Sequence, residues 1–130
     1  MEVDTYIGKL EKTKDFDYDL DNKYMFQNAP DRVCLCGFKE RRAAGDNSAF
    51  CTCGRVRGRT LYWDIVGEVC EKKPNTKQTD WGCFCMKLSK TDLIERLAQD
   101  KYKGEVECLL TIAKQLSDTE EYLLVALEIS

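Results

Sequence analysis

Charged and apolar positions alternate strictly along Asp15-Phe16-Asp17-Tyr18-Asp19-Leu20-Asp21. In a strand this spacing turns Phe16, Tyr18 and Leu20 to one face and the four aspartates to the other, roughly 6.6 Å apart along the chain. Aspartate is a poor strand former, so the pattern predicts an edge or an irregular extended segment. Asn28-Ala29-Pro30-Asp31 reads as a turn. Residues 60–69 are aromatic and β-branched, which predicts a strand with Leu61, Trp63, Ile65 and Val69 on one face. Residues 72–76 read as a loop, and 81–88 as the returning strand, with Phe84, Met86 and Leu88 toward the helices and both thiols of Cys83 and Cys85 on the opposite face.

Helical periodicity begins after Ser89. Ser89 and Asp92 have the spacing of a capping box, Leu93, Ile94, Leu97, Ala98 and Tyr102 form an apolar stripe, and Gly104 is placed to stop the helix. Residues 105–116 repeat the pattern through Val106, Leu109, Leu110 and Ala113. Residues 118–129 are nearly all apolar after Tyr122; Asp118 and Glu121 favour a third helix, with a buried final strand as the other solution that periodicity allows. The expected fold is α+β: a small, mostly antiparallel sheet packed on two or three C-terminal helices and stabilised by zinc. One domain is expected over residues 1–130, with an acidic extended segment (1–31), a cysteine-rich β region (32–88) and a helical region (89–130).

Eight cysteines and no histidine occur in the 130 residues. Six of them form the pairs Cys34/Cys36, Cys51/Cys53 and Cys83/Cys85, and glycine follows the first two pairs at once, as Gly37 and Gly54. The amino terminus has no basic region before an apolar run, and no window approaches the roughly 18 apolar residues of a membrane span, so a cytoplasmic protein without membrane contact is expected. In a reducing compartment such cysteines bind metal; in a secreted chain they would pair as disulfides. Four thiolates suit zinc, and an iron-sulfur cluster is the chemical alternative. A straight strand separates Cys-x-Cys backbones too widely for easy chelation, so a bend is required, and glycine permits positive φ just after each pair. Cys34, Cys36, Cys51 and Cys53 are therefore the first quartet for Zn2+. Cys70, Cys83 and Cys85 are candidates for a second or alternative site, while Cys108 reads as a buried small hydrophobe.

Net charge is −3 overall, but it is divided: residues 1–31 carry −4, 32–60 carry +5, 61–90 carry +1 and 91–130 carry −5. Arg41, Arg42, Arg55, Arg57 and Arg59 surround the first two cysteine pairs, with Arg32 and Lys39 nearby. They either contact nucleic-acid phosphates, with Phe38, Tyr62 or Trp63 for stacking, or neutralise the acidic amino-terminal segment. Asp15, Asp17, Asp19 and Asp21 either form a solvated, charge-protected edge or imitate a phosphate backbone; calcium binding would lack the glycine and final glutamate of an EF-hand loop. Without histidine a cysteine nucleophile lacks its usual base, and no phosphate loop, dinucleotide fingerprint or hydrolase elbow is present, so a non-enzymatic protein is expected; a thiol redox protein is the enzymatic alternative.

The pairs Cys34-Leu35-Cys36-Gly37, Cys51-Thr52-Cys53-Gly54 and Cys83-Phe84-Cys85, together with the aspartate ladder, give a chain that resembles in general character the zinc-containing type II-A anti-CRISPR proteins of phages and mobile elements. That resemblance implies a protein partner, a CRISPR effector nuclease in the host cytoplasm, whose positively charged channel an acidic surface would occupy, blocking target DNA loading. Asp15, Asp17, Asp19 and Asp21, or the acidic C-terminal region, would form that surface. The other function class is a zinc-stabilised nucleic-acid-binding or transcription-accessory module acting through Arg41, Arg42, Arg55, Arg57 and Arg59.

Overall fold

The computed structural model describes residues 2–9, 32–33, 54–80 and 82–128. In chain order these form β1 (Val3–Lys9), β2 (Arg55–Val56), α1 (Arg59–Cys70), β3 (Thr76–Asp80), β4 (Cys83–Ser89), α2 (Lys90–Leu97), a 3₁₀ turn (Asp100–Tyr102), α3 (Glu107–Ala113) and β5 (Glu121–Glu128). The architecture is α+β. All five strands belong to one antiparallel sheet, ordered β2-β1-β5-β4-β3. Residues 10–31, and with them the turn read at 28–31 and the aspartate ladder, lie outside the described residues.

The strand expected at 60–69 is helix α1 instead. Leu61, Tyr62 and Ile65 are its buried residues, a three- and four-residue spacing, whereas Trp63, which a strand would have turned inward with Leu61, is 50% exposed. Tertiary burial has overridden the β propensity of the aromatic and branched residues. The strand expected at 81–88 is present as β4 from Cys83, but its hairpin partner is β3, which supplies the outer edge. One helix thus precedes the last three strands, so the helices are not all C-terminal.

The third helix favoured for 118–129 is strand β5, the centre of the sheet. It pairs with β1 from Val3↔Glu128 to Lys9↔Tyr122 and with β4 from Cys83↔Leu127 to Ser89↔Glu121. Tyr122 through Leu127 are all buried. A strand covered on both faces carries no polar alternation, which is why its pattern resembles that of a buried helix. Strand β1 has the same character: Val3 through Ile7 are buried, with polar Asp4 and Thr5 among them.

Of the capping box expected at Ser89 and Asp92, the N-cap half is present. The Ser89 side-chain oxygen accepts from the Asp92 backbone N–H at 3.2 Å and opens α2. That helix ends at Leu97, earlier than the apolar stripe suggested; Ala98 is exposed, and the chain passes through the 3₁₀ turn before Gly104, whose φ of +89° ends the run. In α3, Leu109, Ile112 and Ala113 are buried, and Cys108, expected to be buried, is exposed because its neighbour Leu109 takes the inward position.

The register divides the sheet into two faces. Val3, Ile7, Met86, Tyr122, Leu124 and Ala126 share one core with Leu61, Tyr62 and Ile65 of α1, Leu93 and Leu97 of α2, and Leu109 and Ile112 of α3. By strand alternation Asp4, Tyr6, Cys83, Cys85, Leu123, Val125 and Leu127 lie on the other face. They are buried as well, though they stand outside the helix-facing core. Around the helices, Arg96 donates two hydrogen bonds to the Glu68 carboxylate at 2.6 and 2.9 Å, and the Tyr102 hydroxyl donates to Asp64 Oδ2 at 2.5 Å.

Candidate metal centre

The free side of β1 gathers two short segments that flank the cysteine-bearing stretch. Residue 32 bridges Gly8, and the Val33 N–H donates to the Ile7 carbonyl at 2.9 Å. Just beside it, Arg55 and Val56 pair with Tyr6 and Thr5. Gly54 enters this ladder with φ of +79°, and a Cβ added there would stand 2.7 Å from the Val33 carbonyl oxygen. Any side chain would collide with backbone, so glycine is required both for conformation and for space. The positive φ expected after the second pair is therefore present at Gly54.

Val33 and Gly54 are the described residues next to Cys34 and Cys53. Their close approach brings together the two points between which the first and second cysteine pairs are strung. Cys34, Cys36, Cys51 and Cys53 themselves lie outside the described residues, as do Gly37, Phe38, Lys39, Arg41 and Arg42 and the ladder of Asp15, Asp17, Asp19 and Asp21.

Of the other candidate ligands, Cys83 and Cys85 are fully buried on the face turned from the helix core, the placement expected from the alternation of β4. Their thiols hydrogen-bond to one another. That hydrogen bond, followed by burial, pushes the Cys85 thiol well above its ordinary range. A group so held stays protonated, the opposite of an activated nucleophile. Cys70 is exposed at the end of α1 and is not brought to this pair; among the described residues no group of three or more histidines, cysteines or acids is placed to bind a metal ion.

The arginines divide in a way the sequence only half indicated. Arg55 Nη1 donates to Asp4 Oδ2 at 3.1 Å, with the Asp4 side chain fully buried and that of Arg55 16% exposed. Arg57 is 61% exposed and reaches the other carboxylate oxygen of Asp4 from 3.6 Å and Glu2 from 4.0 Å. Arg59 is exposed at the first turn of α1. Of the three candidate nucleic-acid-binding arginines that are described, Arg55 and Arg57 thus neutralise acids near the amino terminus. The sequence signal for Asp4 is slight, a single acid among Val3, Thr5, Tyr6 and Ile7.

By type the candidate donors are all thiols, a soft set that zinc accepts as a complete shell, and the described residues flanking two of the pairs, Val33 and Gly54, meet beside β1. No protein-family model, curated protein or solved structure matches the chain. No helix among the described residues is long and apolar enough to cross a membrane.

Proposed function

We propose that this chain is a non-enzymatic, zinc-stabilised inhibitor that acts by occupying a basic groove of a protein partner, such as the DNA-loading channel of a CRISPR effector nuclease. The observation that carries the metal part is the contact between Val33 and Gly54, which favours Cys34, Cys36, Cys51 and Cys53 as one centre. Zinc there is structural: it cross-links a stretch of chain whose two ends already meet. The inhibitory part rests on charge. Residues 91–130 carry −5, and Asp92, Glu95, Asp100 and Glu107 are exposed there; the ladder of Asp15, Asp17, Asp19 and Asp21 adds four more carboxylates. Such surfaces are attracted to a channel built for nucleic acid.

The alternative, a nucleic-acid-binding module using Arg41, Arg42, Arg55, Arg57 and Arg59, loses support because Arg55 is committed to buried Asp4 and Arg57 leans toward the same carboxylate. An arginine held by a buried acid has less charge to offer a phosphate.

Metal content and intact mass, measured on protein purified without a metal affinity column, test the first part. Near-stoichiometric zinc with all eight thiols reduced is expected; absence of metal with loss of paired hydrogens means disulfides instead. A DNA-cleavage assay with an RNA-guided nuclease tests the second. Asp17→Lys with Asp19→Lys should abolish inhibition while circular dichroism is unchanged. Salt-sensitive DNA or RNA binding by the protein alone, without inhibition, would favour the arginine module.

A further inference from the structure

We propose that the solvent side of α1 is a self-association surface, on which two copies of this chain pack as an antiparallel helix pair with the Trp63 indole of each seated over Gly67 of the other. The proposal goes beyond the inhibitor reading and does not depend on zinc. Leu61, Tyr62 and Ile65 turn into the core, and the opposite side of the helix carries Trp63, Gly67 and Cys70 at four- and three-residue spacing. Trp63, at 50%, is the exposed large hydrophobic side chain among the described residues. One such residue on a surface is ordinary. Its neighbour one turn on is what gives it meaning.

Glycine inside a helix is destabilising relative to alanine, yet nothing within the chain requires it at position 67: the backbone is helical, and an added Cβ would meet no atom within 4 Å. The result is an open notch beside a protruding indole. Tyr62 is buried and meets the Trp63 ring edge-on, with centroids 5.0 Å apart and planes at 86°, so the indole is oriented before any partner arrives. A twofold axis at the level of Ile65 sets each Trp63 against the other copy's Gly67, one surface serving as both knob and notch, as a twofold interface demands. The same axis sets Arg59 of each copy opposite Glu71 of the other, and both residues are exposed. Glu71 has Lys73 at 3.7 Å, an exposed pair that yields readily to a new cation. A notch and a knob on one helix, with opposite charges at its two ends, describe a second copy of that helix as the occupant. A single 12-residue helix is about 18 Å long and buries less than the roughly 1,600 Å² of a standard interface, so the dimer is a weak one that forms as concentration rises.

Sedimentation equilibrium of the full chain over a concentration series tests this, with a phosphine reductant present so that the exposed thiols of Cys70 and Cys108 cannot mimic association by forming disulfides. Wild type should pass from monomer to dimer. Trp63→Ala removes the central aromatic and should weaken the dimer about 30-fold or more. Gly67→Gln fills the notch with a better helix former, so it should weaken the dimer about 10-fold while raising the melting temperature of the dilute monomer. That opposition separates a lost interface from a damaged fold. Arg59→Glu and Glu71→Arg should each weaken the dimer about 3- to 10-fold, and the two together should restore it. A wild-type chain that stays monomeric throughout overturns the proposal and leaves the face to a partner of other chemistry. A dimer that Trp63→Ala and Gly67→Gln leave intact overturns it as well, and failure of the double charge reversal to restore association overturns the antiparallel arrangement.

Discussion

On one side of β5, Leu124 and Ala126 enter a core shared with α1, α2 and α3; on the other, Val125 and Leu127 lie among Tyr6, Asp4, Cys83 and Cys85. Both sides are buried, but the helix side is almost entirely hydrocarbon, whereas the other contains an ion pair and two hydrogen-bonded thiols. Apolar area stabilises without regard to direction. Ion pairs and thiols depend on geometry, pH and metal, so the second side is where conditions should change the protein's behaviour. Its chemistry also lies beside the strand that anchors both ends of the cysteine-bearing stretch.

The strongest way to separate the two sides is to damage the helix side alone. Leu93→Ala removes a fully buried side chain and should cost about 2–5 kcal/mol in urea unfolding. The loss should be the same with zinc present and after chelation, because Leu93 belongs to the helix-facing core. A loss that vanishes on chelation would show that the two sides are one cooperative network and would break the comparison.

A smaller effect is expected at the Asp64–Tyr102 contact, where Tyr102 of the helix-facing core ties α1 to the 3₁₀ turn. Burial by itself would raise the Asp64 carboxyl, but hydrogen bonds from Tyr102 and Lys101, with the charges of Lys101 and Arg96, lower it below the usual carboxylate value. Burial first, then the hydrogen bond and charge of Asp64, raise the Tyr102 hydroxyl. The lowered acid contributes stability that is present above its unfolded pKa and lost as pH falls through its folded one; the raised phenol contributes stability that is present below its unfolded pKa and lost as pH rises through its folded one. Stability from this contact should therefore hold from about pH 4 to about pH 10. Tyr102→Phe should cost about 1–2 kcal/mol at neutral pH and flatten the alkaline arm in pH-dependent melting. An unchanged alkaline arm would leave it to the other raised groups, the Tyr62 and Tyr122 hydroxyls on the helix side and the Cys85 thiol on the second.

The smallest effect belongs to local structure. Ser89→Ala deletes the cap of α2 and should cost about 1 kcal/mol in thermal melting, independent of metal.

These expectations differ in how far the sequence foretold them. The Ser89 cap and the facing of β4 were legible, because both depend on residues within one turn or two strand positions. Residues 60–69 were not, since a run of aromatic and branched residues fits either state until Trp63 is seen outside and Leu61 and Ile65 inside. Cys108 was assigned to the core from its apolar neighbours, and helix rotation placed Leu109 there in its stead. Of the candidate metal ligands, the pairing of thiols was visible in the spacing; that Val33 and Gly54 meet was not, because their contact spans 21 positions.

The sequence by itself determined the α+β class, the eight cysteines without a histidine, the glycine after Cys53 and the start of α2, all of which follow from residue chemistry and short-range spacing. Only the tertiary structure decided that residues 121–128 form the central strand, that Cys70 stands apart from Cys83 and Cys85, and that Asp4 is buried against Arg55. Those outcomes depend on which distant segments share a sheet, and a local pattern carries no record of its partner across the sheet.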